Sequence, residues 1–350
     1  MTMPMTMTTR LDKAQAIVQH ILRHLSSPRR IPHGADLATA KPLFVGISGP
    51  QGIGKTTMTN KLVATLSGAP HNLRVVTLSM DDLYLPFKEQ EALRQKHPEN
   101  KLLEFRGLPG THDIRLGTQT FNALCAANHA THSRIEQGGE QGQMEERGPD
   151  HSTPRIAVAV PSYDKALHAG RGDQLPREQW PVVQGPFDVV LFEGWSLGFR
   201  SVRDPAKLFE IYQQHATCPP HYLGQHSFAS LEMVNRSLEE YEREWYSFLD
   251  VFVHLSAPSL ATVYKWRAEQ ERDLWARKGT GMTEDQVKEF VSRFMPAYEV
   301  YLERLKQDNL FKDDLVPFST APRGPVSWTG RHLRLDLNEA RDLVSTVQVE

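Results

Sequence analysis

Residues 42–57 read PLFVGISGPQGIGKTT. The first seven form a continuous apolar run of strand length, and the rest contains G-x-x-x-x-G-K-T from Gly49 to Thr56. Glycines permit a tight turn in which successive backbone N–H groups converge on phosphate oxygens at the start of a helix. Lys55 can then reach the β- and γ-phosphates, and the Thr56 hydroxyl can ligate Mg²⁺. Average residue usage gives a chance match in such a chain odds of about one in a hundred. TNKLVATL (59–66) reads as the helix that this turn should open. The stretch predicts a phosphate cradle for a nucleoside triphosphate, made of Gly49, Pro50, Gln51, Gly52, Ile53, Gly54, Lys55, Thr56 and Thr57.

Outward from the cradle, strands alternate with helices. RVVTLS (74–79) is a second strand, followed by a polar helix around 88–97 and another near 117–127. Further strands are expected at RIAVAV (155–160), DVVLFE (188–193) and DVFVHLS (250–256). This order implies βαβ units, a mainly parallel sheet and an α/β fold. Ligands of open α/β sheets sit beyond the C-terminal ends of the strands. Glu193, ending DVVLFE, is therefore a candidate Mg²⁺ ligand, directly or through water. Asp81 and Asp82, in VVTLSMDDLYLP, emerge at the same edge. A kinase needs a carboxylate there to accept the proton of the attacking hydroxyl. Side chains of an extended backbone alternate in direction, so one aspartate is expected to face the phosphate and the other to brace the turn or the metal's waters.

The bulk numbers suit a globular domain. The chain has 350 residues, 39% hydrophobic and 23% charged, with a net charge of 40 − 42 = −2. That balance gives no basic field for nucleic acid, and no apolar stretch approaches the ~18 residues of a membrane span. Two cysteines, Cys125 and Cys218, build no disulfide framework, which fits a reducing, cytoplasmic setting.

Residues 1–40 read as an N-terminal extension with an amphipathic helix through Leu11, Ala14, Val18, Ile21 and Leu25; an organellar transit segment shares this pattern. Residues 128–154 hold only Ile135 and Met144 as large apolar side chains and are expected to form a flexible surface insertion in a domain spanning 41–350. Leu231, Val234, Leu238, Tyr241, Trp245 and Phe248 make a core-facing helical stripe. A long helix around 259–277 and a second from Thr283, with a Thr283/Gln286 capping box and a kink at Pro296, would form a lid region to about residue 305.

With these pieces placed, the chain resembles the phosphoribulokinase, uridine kinase and pantothenate kinase superfamily of P-loop small-molecule kinases. Within it, SMDDLYLP, LLEFRGLPGTHD, PSYDKALHAGRGD, LFEGWSLGF, VNRSLEEY and the segment from Lys265 to FVSRFMPAY resemble the plant and fungal D-glycerate 3-kinase group over residues 42–310. The resemblance implies ATP·Mg²⁺ as donor and a small-molecule hydroxyl acceptor, D-glycerate phosphorylated at its 3-hydroxyl. By position it places the catalytic carboxylate on Asp81, the metal-associated one on Glu193 and a phosphate-contacting lid arginine on Arg267, with Arg272 and Arg277 as further offers. It nominates His112 and Asp113, and Tyr163 and Lys165, for the acceptor. Arg106 and Arg171, beside Gly107, Gly170 and Gly172, are the expected partners of its carboxylate, since a planar guanidinium fork suits a carboxylate best.

Two other classes stay open. The acceptor could be pantothenate-like or a nucleoside, or the chain could be a non-catalytic ATP-binding regulator. The presence of Lys55, Thr56, Asp81 and Glu193 together argues against the second.

Overall fold

The computed structural model describes residues 12–26, 41–137, 156–217, 219–279, 281–312 and 329–350. The central strand is β1 (Leu43–Ser48), which runs straight into the phosphate turn and α2 (Lys55–Ser67). It is flanked by β7 (Val189–Gly194) and β8 (Val251–Ser256), both parallel to it. β2 (Val75–Ser79) extends the sheet beyond β7, and β9 (His332–Leu337) extends it beyond β8, again in parallel. β10 (Leu343–Gln348) closes the far edge antiparallel to β9, giving the order β10-β9-β8-β1-β7-β2.

Both faces of the sheet are covered, as a parallel sheet requires. Leu43, Val45 and Ile47 of β1 pack with Val189, Leu191, Val251 and Val253 under α2 and α1 (Lys13–Leu25). Phe44, Val190, Phe192 and Phe252 point the other way, into a larger core built on α4 (Ile114–Gln137), α7 (Phe228–Glu244) and α10 (Met295–Gln307). Trp245 lies fully buried in that core, edge-on to Phe192 at 5.7 Å and to Tyr241 at 4.9 Å. Gly46 leaves room for Phe252, whose ring a Cβ at that position would meet at 2.7 Å.

Several expectations change. The N-terminal amphipathic helix is α1; Asp12 caps it, and its Ala14, Ile17, Val18, Ile21 and Leu25 lie in the core. RIAVAV does not join the main sheet. Its strand, β3 (Ala157–Ala159), pairs antiparallel with β6 (Val182–Gln184), a partner too short to announce itself in the sequence. Residues 128–137, expected to be part of a flexible insertion, continue α4. Asn128 is buried and exchanges both amide bonds with the backbone of Phe187, donating at 2.8 Å and accepting at 2.7 Å. The rest of the expected insertion, from 138 to 154, lies outside the described residues.

The lid region contains α8 (Ala261–Lys278) and α9 (Glu284–Ser292), and the Thr283/Gln286 capping box is formed. Pro296 does not kink α9. It sits in the first turn of a separate helix, α10, where its missing N–H costs nothing. The hairpin β9–β10 was not anticipated, although Leu333, Leu335 and Leu337 alternate with period two. The remaining elements are α3 (Phe87–Lys96), the small ribbon of β4 (Tyr163–Asp164) with β5 (Asp173–Gln174), the single turn α5 (Leu167–Gly170) between them, and α6 (Pro205–Ala216).

Candidate active site

The floor of the site is backbone. Gly52 and Gly54 have φ of +81° and +95°, left-handed conformations that let consecutive N–H groups turn toward one point at the start of α2. Gly52 is also a contact point: a Cβ there would lie 2.5 Å from Cβ of Trp266, so the phosphate turn is pressed against α8. The Lys55 ammonium lies back along the loop, donating to the Gly49 carbonyl at 2.7 Å and the Pro50 carbonyl at 3.3 Å. Burial lowers its pKa, opposed by the carboxylates of Glu193 and Asp81.

Gln51, Gly52, Lys55 and Thr56 line a cavity of about 680 Å³. Ile53, Gly54 and Thr57 instead line an adjoining cleft between α2 and α8. Ile53 is itself a core residue, and Gly49 and Pro50 are buried.

Parallel register sets the carboxylates beside this floor. Ser79 of β2 and Ile47 of β1 are both paired with Glu193 of β7, so three strands end together. The Ser79 hydroxyl donates to Glu193 at 2.8 Å and accepts from the Asp81 N–H at 3.2 Å, starting a single 3₁₀ turn over Met80–Asp82. That turn separates the two aspartates. Asp81 faces the cavity, and its carboxylate accepts from the Tyr84 hydroxyl at 2.9 Å and pairs with Lys165. Burial would raise the Asp81 pKa, but the Lys165 ammonium and the Tyr84 hydroxyl outweigh it and hold the group down at about 2. Asp82 turns away and accepts the Tyr163 N–H at 3.2 Å. Burial pushes its carboxyl up to about 6.

The opposite wall is made of side chains from distant segments. Lys165, Arg106, Arg171 and Arg267 all line the cavity. Arg106 is heavily committed: it donates to the carbonyls of Gly170 (2.7 Å), Arg171 and Lys165 (3.3 Å), holding the 165–171 loop in place. Arg171 pairs with Glu91 and donates to the Glu104 carbonyl at 3.1 Å. Arg267 pairs with the buried Glu271, and its Nε is buried without a partner among the described residues. Arg272 and Arg277 are exposed; the Arg277 Nε donates to its own helix at Asp273.

Three nominated acceptor residues do not line the cavity. His112 is buried one layer behind it, stacked on Tyr84 with centroids 4.4 Å apart and hydrogen-bonded through Nδ1 to the Tyr241 hydroxyl at 2.7 Å. Burial drops its pKa to about 3, so the ring is neutral. Asp113 caps α4, accepting from Leu116 N–H at 2.9 Å. Tyr163 packs edge-on against Tyr84. His112 and Tyr163 thus pack on the ring of Tyr84, while Asp113 starts α4.

The sequence reading passed over several residues here. Phe105, Trp195 and Arg293 line the cavity, and all three lie inside stretches already singled out. Arg341, from the turn of the β9–β10 hairpin, donates to the Gly52 carbonyl at 2.8 Å, pairs with Glu269 and lies over the Trp266 ring. No sequence motif marks it.

Glu193 fits a hard divalent cation. Among the described residues its carboxylate has no ion-pair partner within 4 Å, and with Thr56 it would supply two oxygen ligands, with phosphate and water completing the shell. Among the described residues, no cluster of three or more His, Cys, Asp or Glu could hold a metal alone, and no helix is long and apolar enough to cross a membrane.

No protein-family model matches the chain. It is 33% identical over 301 residues to the chloroplastic D-glycerate 3-kinase of Arabidopsis thaliana, which covers 86% of this chain but 54% of that protein. Over 296 residues it is 32% identical to mug58, an uncharacterized kinase of Schizosaccharomyces pombe, covering 84% of this chain and 91% of the relative. The solved structure of D-glycerate 3-kinase from Cryptococcus neoformans superposes with a TM-score of 0.74 at 31% identity, over 96% of this chain and 98% of that one. A parallel sheet ending in a phosphate turn, an Asp and a Glu, matched along nearly its whole length, leaves one assignment: the chain belongs to the D-glycerate 3-kinase group of P-loop kinases.

Proposed function

We propose that the protein transfers the γ-phosphoryl group of ATP to the 3-hydroxyl of D-glycerate in the cytoplasm, giving 3-phosphoglycerate and ADP. The observation that carries this reading is the shared cavity: Lys55 on the floor, a charged Asp81 beside it, and a cationic wall opposite. Such a wall favours a small anion over glycerol, pantothenate or a nucleoside.

In this mechanism the turn 49–57 holds the phosphates, with Lys55 leaving the Gly49 and Pro50 carbonyls for phosphate oxygens. Thr56 and Glu193 would hold Mg²⁺, which when bound neutralises charge on the β- and γ-phosphate oxygens. Asp81 aligns the acceptor hydroxyl. The oxygen–phosphorus bond forms as the bond to the β-phosphate oxygen breaks, and the hydroxyl proton passes to an Asp81 carboxylate oxygen. A carboxyl held near 2 is a weak base, so its main work is orientation, with proton transfer late in a loose transition state. Tyr84 and Lys165 hold it in place, and Arg267 takes charge on the transferring group.

The test is ADP release by the full chain with D-glycerate, glycerol, pantothenate and uridine, with the product position read by phosphorus NMR. D-glycerate should exceed glycerol in kcat/KM by at least about 30-fold, the cost of stranding a cation without its anion. Equal rates on glycerol, or a higher rate on uridine or pantothenate, would remove the glycerate assignment. No acceptor-dependent ADP release at all would favour a regulator.

A further inference from the structure

The cavity contains a guanidinium that fits the acceptor carboxylate better than those of Arg106 and Arg171. Arg106 is engaged by three backbone carbonyls, and Arg171 by Glu91 and the Glu104 carbonyl. Withdrawing either would release a loop. Arg267 has its buried partner Glu271 and its backbone lies against Gly52 of the phosphate turn, and Lys165 is held at Asp81, where the reacting hydroxyl must sit. The far end of a three-carbon acceptor therefore needs another cation.

Arg293 is the residue after α9, just before the break that Pro296 enforces, so two helices fix its backbone. Its guanidinium carbon stands 4.0 Å from the centroid of the Phe105 ring, a cation–π contact that orients the fork without using its N–H donors. Among the described residues its acidic partner is Glu289, at 2.6 Å and one turn back; that side chain is 68% exposed. Exposed pairs of this kind are weak, and an incoming carboxylate can replace Glu289 with the same geometry.

We propose that Arg293, held against Phe105, is the residue that binds the acceptor carboxylate and sets the preference for an anionic acceptor. The proposal rests on the glycerate reading above. Glu289 is then a stand-in that occupies the fork in the absence of acceptor and competes with it.

The experiment is steady-state kinetics of the full chain at saturating ATP, with D-glycerate and glycerol, for wild type, Arg293→Gln, Phe105→Leu and Glu289→Gln. Arg293→Gln should raise the KM for D-glycerate about 10- to 100-fold and cut the glycerate-to-glycerol ratio in kcat/KM at least tenfold. Phe105→Leu should move the same ratio in the same direction by a smaller factor. Glu289→Gln should lower the KM for D-glycerate about two- to fivefold, a gain that a purely structural ion pair cannot produce. An Arg293→Gln variant that loses kcat equally on both acceptors, or a Glu289→Gln variant whose KM rises, overturns the proposal. A wild type that does not prefer D-glycerate overturns the functional reading before any variant is made, so the two failures are distinct.

Discussion

The phosphate-turn floor and the cationic wall face each other across one cavity but are built in different ways. The floor is one short segment, with Gln51, Gly52, Lys55 and Thr56 on the cavity, placed by the end of β1 and the start of α2. The wall draws side chains from around Phe105, Lys165, Arg267 and Arg293, and each already has an internal partner. A floor of backbone is pre-organised by the sheet and keeps its shape when one side chain is cut. A wall of paired side chains must exchange partners to bind. Mutations on the floor should therefore act on rate with little structural cost, whereas those on the wall should mix affinity, specificity and stability.

The largest expected effect comes from the floor. Lys55→Ala should lower kcat by about 10³ or more, because the lysine compensates charge that builds on the transferring phosphoryl group. Among the described residues its bonds go to its own loop, so the melting temperature should stay within about 3 °C of wild type. Activity within a few-fold of wild type would break the comparison at its stronger end.

Next is the junction of floor and wall. Asp81→Asn should reduce kcat by about 10²–10⁴ with little change in the KM for ATP, and Asp82→Asn by less than about tenfold. The 3₁₀ turn that points Asp81 inward and Asp82 toward the Tyr163 N–H is the reason. Equal losses at the two positions would mean that the turn is not what separates their roles.

Arg341 tests whether the floor depends on anything outside its own segment. It ties the Gly52 carbonyl to α8 through Glu269 and Trp266. Arg341→Ala should raise the KM for ATP about tenfold, the worth of one charge-assisted bond, while leaving that for the acceptor unchanged. If neither KM moves, the β9–β10 hairpin is only an edge to the sheet.

Legibility in the sequence follows the same division. That Lys55, Asp81 and Glu193 meet at one cavity was legible because a contiguous motif encodes a backbone conformation, and strand ends in a parallel sheet share one edge. His112, Asp113 and Tyr163 were assigned to the acceptor because they stand in chain stretches that do build the site, but sequence spacing does not say which layer a side chain occupies. His112 lies behind Tyr84, and only packing reveals that. Arg293 and Arg341 were passed over for the complementary reason: a charged residue at a helix end or hairpin turn looks solvated until its tertiary neighbours are known. The extension of α4 to Gln137 was hidden because its last turns are nearly free of large apolar residues, although Asn128 anchors the start of that stretch through hydrogen bonds.

The smallest effect is in stability, and it should have opposite signs at the two aspartates. Asp82 has a folded-state pKa of about 6, raised from an ordinary 3.8 mainly by burial. Between those values the native protein binds the proton more than the unfolded chain does, so stability falls as pH rises through that window. Above about 6 the burden of the buried charge is fully present. Asparagine carries no charge and can still accept the Tyr163 N–H. Asp82→Asn should therefore raise the melting temperature by about 2–5 °C at pH 8, with the gain fading below pH 4. Asp81 runs the other way: its pKa of about 2, held down by Lys165 and Tyr84 against burial, contributes stability above 3.8 that is lost as pH falls toward 2. Asp81→Asn should accordingly lower the melting temperature at pH 8. Calorimetry of wild type and both variants at pH 5 and pH 8 decides the matter. A destabilised Asp82→Asn at pH 8 would mean that its charge is favourably paired, and the division of labour in the SMDD turn would then need another cause.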